Sequence, residues 1–425
     1  ITKATAEDLD TKSPSMEDNI KAIETLHDIE NINKTPTKAQ QAILAKFKGW
    51  GGLSNSFWGK NKERLQEIMS DSEIAAAQST VNDAYFTPTY IIDEIYKALN
   101  YLGFEGGNIL EPSMGVGNFF GRLPKSIKSN SSLFGVEIDT ISGRIAKYLY
   151  PSASIEIAPF QDVAYRDNSF DLIIGNVPFG EVKYKYKNSR YLIHDYFFVK
   201  AMDKLNDGGI MAFLTSRGTL DKLDSKTRAE LNRQGKLIAA YRLPSSVFTR
   251  SAGASPVTDL IIMQKTTDTN GERFVNTGSI EVDGVDFSIN EYFVNHPENI
   301  IGELSVERNW RNGKYSLDVK STGNVGEQLD RAIKKLPKNL LSGVQSVGTV
   351  DVTENTNPLQ TFIAKDDGTV EYIDAQTGDI KQIKKKQAEI AKAYINVKDV
   401  YQDLVDTTLN SNDRDTIENK RKELN

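Results

Sequence analysis

The chain has 425 residues, of which 39% are hydrophobic and 26% are charged, a composition that is ordinary for a globular protein with a sizeable core. Because the net charge is -6, any contact with a polyanion would depend on a local basic patch. The sequence has no cysteine, which excludes disulfides, thiolate zinc sites and a cysteine nucleophile, and no apolar run approaches the ~20 residues that span a bilayer.

The two ends of the chain indicate a fragment of a longer protein. The sequence begins with Ile1 rather than methionine and stops at Asn425 within a predicted charged helix. The first residues lack the apolar segment of a signal peptide. A cytoplasmic setting fits these features, and we expect a further region of the polypeptide downstream.

Residues 1–80 are predicted to form an N-terminal helical region. A turn cluster over residues 48–53 separates a first amphipathic pattern from a second predicted helix over residues 60–70. The first pattern has apolar residues at helical spacing, namely Ala39, Ile43, Leu44 and Phe47.

Residues 81–265 alternate short apolar runs with helical patterns, which predicts an α/β fold with a mainly parallel sheet. No helical pattern separates the last two runs, so we expect those two strands to pair antiparallel. The predicted fold class is α/β, with a Rossmann-like sheet of seven strands. The runs span residues 108–110, 133–138, 154–157, 171–174, 209–215, 236–242 and 258–263.

The remainder of the chain is predicted to form two smaller parts. Residues 266–345 are predicted to form an α+β extension, a candidate region for DNA recognition, with a hairpin around Asp283-Gly284 and a helix that begins near Asn290. Residues 346–425 are predicted to contain a small β meander and then C-terminal helices that lead into the missing downstream region.

The first segment that carries chemistry follows the first apolar run. A turn with two glycines comes after a strand that ends in an acid, and a helix follows the turn. Glycines let the backbone approach a ligand, and the acid attracts an ammonium group, so the turn suits the methionine part of S-adenosylmethionine. A tight strand–helix turn without a ligand would show the same pattern. The candidate cofactor contacts are Glu111, Pro112, Ser113, Gly115, Gly117 and Asn118.

A second acid, Glu137, ends the next apolar run about twenty residues beyond the glycine turn. At this place in a Rossmann-like sheet an acid binds ribose hydroxyls. Acids at strand ends are common, so the assignment depends on the order of the two segments. Glu137 and the adjacent Ile138 are candidate cofactor contacts.

The third segment, Asn176-Val177-Pro178-Phe179, follows a buried strand. The adenine amine is a poor nucleophile because its lone pair is delocalised into the ring, and two acceptors facing its hydrogens can draw the pair back onto nitrogen. The Asn176 side-chain oxygen and the Val177 main-chain carbonyl can be these acceptors. Phe179 can stack on the base, Pro178 fixes the turn, and Asn176 is also a candidate cofactor contact. The alternative is a strand that ends in a simple Asn-Pro turn.

The order of these segments resembles the amino-methyltransferases of the γ arrangement, which methylate adenine N6 and carry an Asn-Pro-Pro-Tyr/Phe signature. Here Val177 replaces the first proline, and the main-chain carbonyl survives that change. With residues 49–52 upstream, the chain is similar, over roughly residues 35–425, to the methylase region of large methylase–helicase proteins of phages and conjugative elements. The resemblance implies a class I methyltransferase fold, S-adenosylmethionine, DNA as substrate, and a helicase region in the same longer polypeptide.

The resemblance also implies roles for three further segments. Phe160 would contact the cofactor adenine beside an acid, and this chain has Gln161 in the expected position and Asp162 next to it. His194 would help to wall the target-base pocket, or it belongs only to a helix cap. A third segment would pack against the methionine end of the cofactor. The same segment could also start a helix, with its threonine as the cap and its proline in the first turn. Its residues are Tyr85, Phe86, Thr87 and Pro88.

A local basic patch directly follows the third segment. Basic residues interleaved with tyrosines suit phosphate contact and base stacking, although such a run is often only a solvated loop. We expect Arg217, Arg242 and Arg250 to add to the same face. The candidate DNA contacts are Lys183, Tyr184, Lys185, Lys187, Arg190 and His194.

The leading hypothesis is a DNA adenine-N6 methyltransferase that flips its target base out of the duplex. The same chemistry could serve cytosine N4, RNA or protein glutamine, and a catalytically weak or inactive module that binds DNA or cofactor in antirestriction or targeting is the non-enzymatic alternative. The absence of cysteine excludes cytosine-C5 methylation. No metal site is expected, since His27, His194 and His296 are far apart, and the lack of a Walker loop predicts no ATP hydrolysis.

Overall fold

The computed structural model describes residues 15–51, 53–79, 87–248, 257–268, 270–308 and 313–341, and three short strands between residues 362 and 382. These residues fall into two compact units. The first comprises the described residues up to Phe160 and those from Asp167 to Leu341, and the second comprises Gln161–Arg166 and the three short strands.

The N-terminal region is helical, as the sequence predicts. Trp50 in the turn cluster is fully buried, and its ring packs at 6.1 Å from Phe47 and 5.1 Å from Phe57. Arg144 from the following α/β part donates to both Glu30 and Glu73, so charge pairs as well as apolar packing attach these helices to the sheet. The helices span Met16–Ile32 (α1), Lys38–Leu44 (α2), Gly59–Ile68 (α3) and Asp71–Ser79 (α4).

Strands and helices then alternate along the chain. The apolar runs at the centre of the sheet are buried on both faces, which explains why they read as continuous rather than alternating patterns. The elements are Thr89–Leu102 (α5), Gly107–Glu111 (β1), Asn118–Arg122 (α6), Lys125–Lys128 (α7), Ser131–Glu137 (β2), Thr140–Leu149 (α8), Ser154–Ile157 (β3), Phe170–Asn176 (β4), Lys183–Tyr186 (β5), Ser189–Leu192 (β6), Ile193–Lys204 (α9), Leu205–Ser216 (β7), Gly218–Asp221 (α10), Lys226–Gln234 (α11), Gly235–Leu243 (β8) and Thr258–Lys265 (β9).

Seven of these strands form one sheet in the order β3-β2-β1-β4-β7-β9-β8. Strand β9 runs antiparallel to β7 and β8, and the other neighbours are parallel. The structure confirms the mainly parallel sheet of seven strands and the antiparallel pairing of the last two runs. Since β1 pairs with both β2 and β4, the carboxyl ends of these three strands lie side by side.

The extension begins with a hairpin of Thr277–Val282 (β10) and Val285–Asn290 (β11). Asp283 and Gly284 form its turn in the left-handed region, as predicted, and Asn290 caps the helix Glu291–Asn295 (α12). A second hairpin and a helix complete this part, namely Glu303–Arg308 (β12), Tyr315–Lys320 (β13) and Val325–Ile333 (α13).

The predicted β meander is present as a three-stranded antiparallel sheet. The predicted C-terminal helices fall outside the described residues. In the part of the chain that the structure describes, no helix is both long enough and apolar enough to cross a membrane. The strands are Phe362–Ala364 (β14), Val370–Ile373 (β15) and Ile380–Gln382 (β16).

A buried ion network joins the sheet to the extension. Arg242 is fully buried, pairs with Asp259 and Asp221 at 2.9 Å, and lies 4.2 Å from the Phe293 ring centre. The Asn290 N–H donates to Asp221 at 3.0 Å. The expectation that Arg242 joins a DNA-binding face is therefore wrong, because two carboxylates from distant segments enclose it.

The two other arginines expected on that face have different outcomes. Arg217 is partly exposed and pairs with Asp221 at 3.3 Å. Arg250 lies outside the described residues.

Candidate active site

Three strand ends meet at the carboxyl edge of the sheet. Glu111 ends β1, Glu137 ends β2 and Asn176 ends β4. A Cβ atom placed on Gly175 would lie 3.5 Å from Glu111 Cγ, so the backbone just before Asn176 runs against the Glu111 side chain. The tertiary structure thereby brings the predicted cofactor acid and the predicted catalytic asparagine together.

Glu111 is 2% exposed, and its Oε2 atom has no hydrogen-bond partner among the described residues. Burial, together with the charge of Glu137, raises the pKa of Glu111 well above its usual range. A buried carboxyl oxygen that accepts no hydrogen bond costs free energy unless a bound ligand donates one to it. The ammonium group of S-adenosylmethionine is such a donor, so this residue fits the predicted cofactor.

The turn after β1 depends on two glycines in the left-handed region, Gly115 at φ 55° and Gly117 at φ 84°. A Cβ atom on Gly117 would lie 2.4 Å from the Tyr150 ring, whose hydroxyl donates a 2.5 Å hydrogen bond to the Gly117 carbonyl. No other residue type would fit at position 117 without displacing Tyr150. The remaining predicted contacts lie in the same segment, with Pro112 and Asn118 buried and Ser113 half-buried.

Glu137 holds the glycine turn from β2. The Gly115 N–H donates to Glu137 Oε2 at 2.6 Å, and the Asp139 N–H donates to Oε1 at 2.8 Å. Burial and the charge of Asp139 raise the pKa of Glu137 to about 7, and the backbone donors oppose this rise. The adjacent Ile138 is 55% exposed and presents an apolar surface beside the turn.

The predicted catalytic segment leaves β4 in a loop held against β7. The Val177 N–H donates a 3.0 Å hydrogen bond to the Leu214 carbonyl, and the Val177 side chain is buried. Pro178 and Phe179 are half-buried. A proline in position 177 would lack this N–H, so the valine adds a hydrogen bond that fixes the main chain beside Asn176.

The predicted segment 85–88 is described only in part, because Tyr85 and Phe86 lie outside the described residues. Thr87 is buried, and Pro88 is the N-cap of α5. The prediction that Thr87 caps this helix with Pro88 in its first turn is wrong. The ψ of 139° at Pro88 keeps it outside the helix, which starts at Thr89 without a side-chain cap.

Phe160 lies in an aromatic cluster against α9. It is 2% exposed, and its ring centroid lies 5.1 Å from that of Phe197. Gln161 and Asp162 form a turn directly after it, in which Gln161 is half-buried and Asp162 is exposed.

His194 lies in the first turn of α9 and is 5% exposed. Neither ring nitrogen has a hydrogen-bond partner among the described residues, and Nε2 lies 3.7 Å from Asp195 Oδ1. Burial lowers the pKa of His194, against the effect of Asp195, and so favours the neutral ring. A neutral, buried ring suits the wall of a pocket rather than a contact with phosphate.

Within the described ranges, no group of three or more His, Asp or Glu side chains could hold a metal ion.

The predicted basic patch is a β-hairpin, β5–β6, whose side chains alternate between core and solvent. Tyr186 is buried and Tyr184 is half-buried, whereas the cations between them face outward. Lys185 stands directly opposite Arg190 in the register, and two like charges in this position repel each other unless an anion lies between them. Lys183 is also exposed.

Lys187 differs from the other cations of the hairpin. Its Nζ atom lies 2.8 Å from the buried carboxylate of Asp203, which also accepts a 2.6 Å hydrogen bond from the Tyr186 hydroxyl. Lys187 therefore anchors the hairpin to α9, while Lys183, Lys185 and Arg190 form an exposed basic group.

Comparison with known proteins identifies the segment that carries these strand ends. Residues 72–283 match the family model described as N-6 DNA Methylase. This segment, just under half of the chain, is similar to the N-6 DNA methylase family. It contains the glycine turn, both acids, the Asn176 loop and the basic hairpin, and its sheet is that of a class I methyltransferase.

The chain also has curated relatives. The chain is 30% identical over 258 residues, 59% of its length, to "Defense against restriction protein B" of Escherichia phage P1, of which this covers 10%. It is 40% identical over 96 residues, 22% of its length, to "Type II methyltransferase M.CvrRI" of Paramecium bursaria Chlorella virus XZ-6E, of which this covers 24%. The chain therefore spans a minor part of each relative.

Among solved structures, the chain is similar to the type I restriction-modification system methyltransferase subunit from Streptococcus thermophilus, with a TM-score of 0.38 and 13% sequence identity. The similarity covers 67% of this chain and 68% of that one.

The methylase-family segment contains a buried lysine, Lys200, that the sequence did not single out. Its ammonium donates a hydrogen bond to the Phe160 carbonyl and lies 4.4 Å from the centre of the Phe160 ring. It thereby fixes the main chain just before the predicted adenine contacts Gln161 and Asp162. A sequence signal for its burial was available: Lys200 lies four residues after Tyr196, and so on the same side of a helix whose polar residues form no single face.

Proposed function

We propose that this chain transfers a methyl group from S-adenosylmethionine to the N6 amine of adenine in DNA. The observation that carries the proposal is the buried carboxyl oxygen of Glu111, which has no hydrogen-bond partner among the described residues and lies beside the glycine turn, one strand away from Asn176. The match of residues 72–283 to the N-6 DNA methylase family supports the choice of target.

The cofactor would be held by residues at the ends of β1 and β2. Glu111 would accept from its ammonium, and Glu137, once ionised, would accept from its ribose hydroxyls. Ile138 and Phe160 would contact its adenine. When bound, S-adenosylmethionine supplies an electrophilic methyl group on a sulfonium, which departs as a neutral thioether.

The target amine would be oriented by the loop after β4. The Asn176 oxygen and the Val177 carbonyl would accept its two hydrogens, so that the lone pair of N6 is free to form the new N–C bond. The amine then loses one proton to water, and no strong general base is needed. The hydrogen bond from Val177 N–H to the Leu214 carbonyl would hold both acceptors in place.

DNA is the proposed macromolecular partner, and a helicase region further along the same polypeptide remains part of the proposal. The exposed cations of β5–β6 follow the Asn176 loop directly and would contact phosphates. The target adenine would be flipped out of the duplex to reach Asn176. A cytoplasmic setting, where DNA is accessible, follows from this activity.

A radiolabelled methyl-transfer assay on mixed-sequence duplex DNA tests the proposal, with wild type beside Asn176→Ala. The exposed Asn295→Ala, on α12, is the matched control. We expect label in N6-methyladenine after digestion to nucleosides, unchanged in Asn295→Ala and lost in Asn176→Ala. Label in N4-methylcytosine, RNA or protein glutamine would instead assign another amine, and no label with any acceptor would contradict methyl transfer.

A second candidate is a catalytically weak module that binds DNA or cofactor within an antirestriction protein. The similarity to the phage P1 protein over 59% of this chain favours it. Cofactor binding by calorimetry without turnover on any acceptor, together with retained DNA binding, would support this candidate over the first.

A further inference from the structure

The loop after α10 presents the most exposed large apolar side chain among the described residues. Leu223 is 81% exposed, and it lies between Asp221, which ends α10, and Lys226, which begins α11. Helix α10 begins just after the carboxyl end of β7, the loop follows α10, and β7 pairs with β4 through Leu214 and Asn176. Leu223 therefore belongs to the same edge of the sheet as the catalytic loop.

This loop is held rigidly in spite of its exposure. The Lys222 ammonium donates to the buried Asp195 carboxylate, and the Lys222 carbonyl accepts a 2.8 Å hydrogen bond from the fully buried Arg228. The Asp224 carboxylate accepts a 3.0 Å hydrogen bond from the Lys226 N–H, at the first residue of α11. Leu223 projects from a fixed main chain rather than from a loose one.

The same contacts place the loop beside the basic hairpin. Lys226 Nζ lies 5.8 Å from the centre of the Tyr191 ring in β6. Asp195, the partner of Lys222, lies in the first turn of α9. The same turn begins with Ile193, whose N–H donates a 2.9 Å hydrogen bond to the Val182 carbonyl, in the loop after Asn176. Leu223, the exposed cations and the catalytic loop are thus connected through the start of α9.

The charge of this surface selects its partner. Lys183, Lys185, Arg190 and Lys226 are exposed there, against the acids Glu181 and Asp224. An exposed apolar side chain on a rigid loop among cations has the chemistry of a wedge, which enters a base stack while its neighbours bind phosphate. A protein partner would require a wider apolar area around Leu223.

We propose that Leu223 inserts into the DNA duplex next to the target adenine and occupies the space that the flipped base leaves. The inference rests on the proposed methyl transfer to DNA and assigns a residue to the flipping step. Leu223 acts on the duplex, not on the reacting atoms, and stabilises the extrahelical state. The effect of its removal should therefore depend on how firmly the target adenine is paired.

The test compares Leu223→Ala with wild type on two duplexes, after sequencing of methylated DNA has located the target site. One duplex has the target adenine paired with thymine, and the other has it opposite an abasic position, where flipping needs less energy. We expect kcat/KM of Leu223→Ala to fall roughly tenfold or more on the paired duplex and to stay within about threefold of wild type on the abasic one. Leu223→Phe should retain activity on both.

Ile32→Ala is the matched control, since Ile32 is 58% exposed and ends α1 in the N-terminal region. It should match wild type on both duplexes. Equal loss for Leu223→Ala on both duplexes, or no loss on either, would overturn the wedge while leaving methyl transfer intact. Failure of wild type to methylate any DNA would instead overturn the proposed function itself, so the two failures are distinguishable.

Discussion

The Val177 N–H donates a 3.0 Å hydrogen bond to the Leu214 carbonyl, one residue beyond the catalytic Asn176 that we propose. This bond continues the β4–β7 pairing into a position where the family signature has proline. Val177→Pro should lower the free energy of unfolding by about 1–3 kcal/mol, because a buried carbonyl loses its donor. Methyl transfer should persist, since the main-chain carbonyl of residue 177 is kept.

Urea denaturation and the methyl-transfer assay measure the two effects separately. Val177→Ala keeps the N–H and serves as the control for loss of the side chain. Loss of activity in both variants with unchanged stability would mean that the valine side chain itself is required, against our expectation.

Glu111→Gln should weaken cofactor binding without weakening the fold. In the free protein, one carboxyl oxygen of Glu111 has no hydrogen-bond partner among the described residues, so its charge does not stabilise the fold. A bound ammonium group would interact with this carboxylate strongly. We expect the Kd for S-adenosylmethionine to rise roughly 10–100-fold, as for the loss of a charge-assisted hydrogen bond. Calorimetry measures Kd, and the exposed Glu105→Gln is the control; a lower Tm with unchanged Kd would contradict the assignment.

Stability of the free protein should depend on pH through Glu137. Its pKa in the folded protein is about 7 against a usual value of 4.5, so folding favours the protonated form. This contribution to stability is fully present below about pH 4.5 and is lost as pH rises through 7, by at most about 3 kcal/mol. Denaturation at pH 5 and pH 8 should show a smaller loss in Glu137→Gln than in wild type, and equal losses would exclude Glu137 as the source.

The exposed cations of the hairpin should set the salt dependence of DNA binding. The double variant Lys185→Ala with Arg190→Ala removes two predicted phosphate contacts. The slope of log K against log salt should therefore become shallower by about 1.8. Lys187→Ala is the matched control, because Asp203 already neutralises that cation, and its slope should stay near wild type. Fluorescence anisotropy over a salt series gives both slopes, and equal changes would argue against a DNA-facing role of the exposed pair.

Local patterns were sufficient to predict much of the fold. Apolar runs buried on both faces and helices with one apolar face leave periodic traces, so the order of strands and helices could be read directly. The Asp283-Gly284 turn was predictable because few other pairs adopt two successive left-handed conformations. The positions of Glu111, Glu137 and Asn176 at strand ends follow from the same patterns, and parallel pairing places such ends on one edge.

Sequence patterns could not decide what each polar side chain meets. Arg242 and Lys187 look like Arg190 and Lys185 in the sequence, yet carboxylates from distant segments bury or neutralise the first two. Lys200 was overlooked for the same reason, since its partner, the Phe160 carbonyl, comes from another part of the chain.

The sequence alone determined the seven strands of the main sheet, most of the helices between them and the edge of the sheet that carries the proposed site, because these depend on periodicity and turn chemistry. Only the tertiary structure decided that Glu111 is buried with an oxygen unpartnered among the described residues and that Leu223 stands exposed on a fixed loop. Burial and electrostatic pairing depend on which distant residues come into contact, and the spacing of residues along the chain does not specify those contacts.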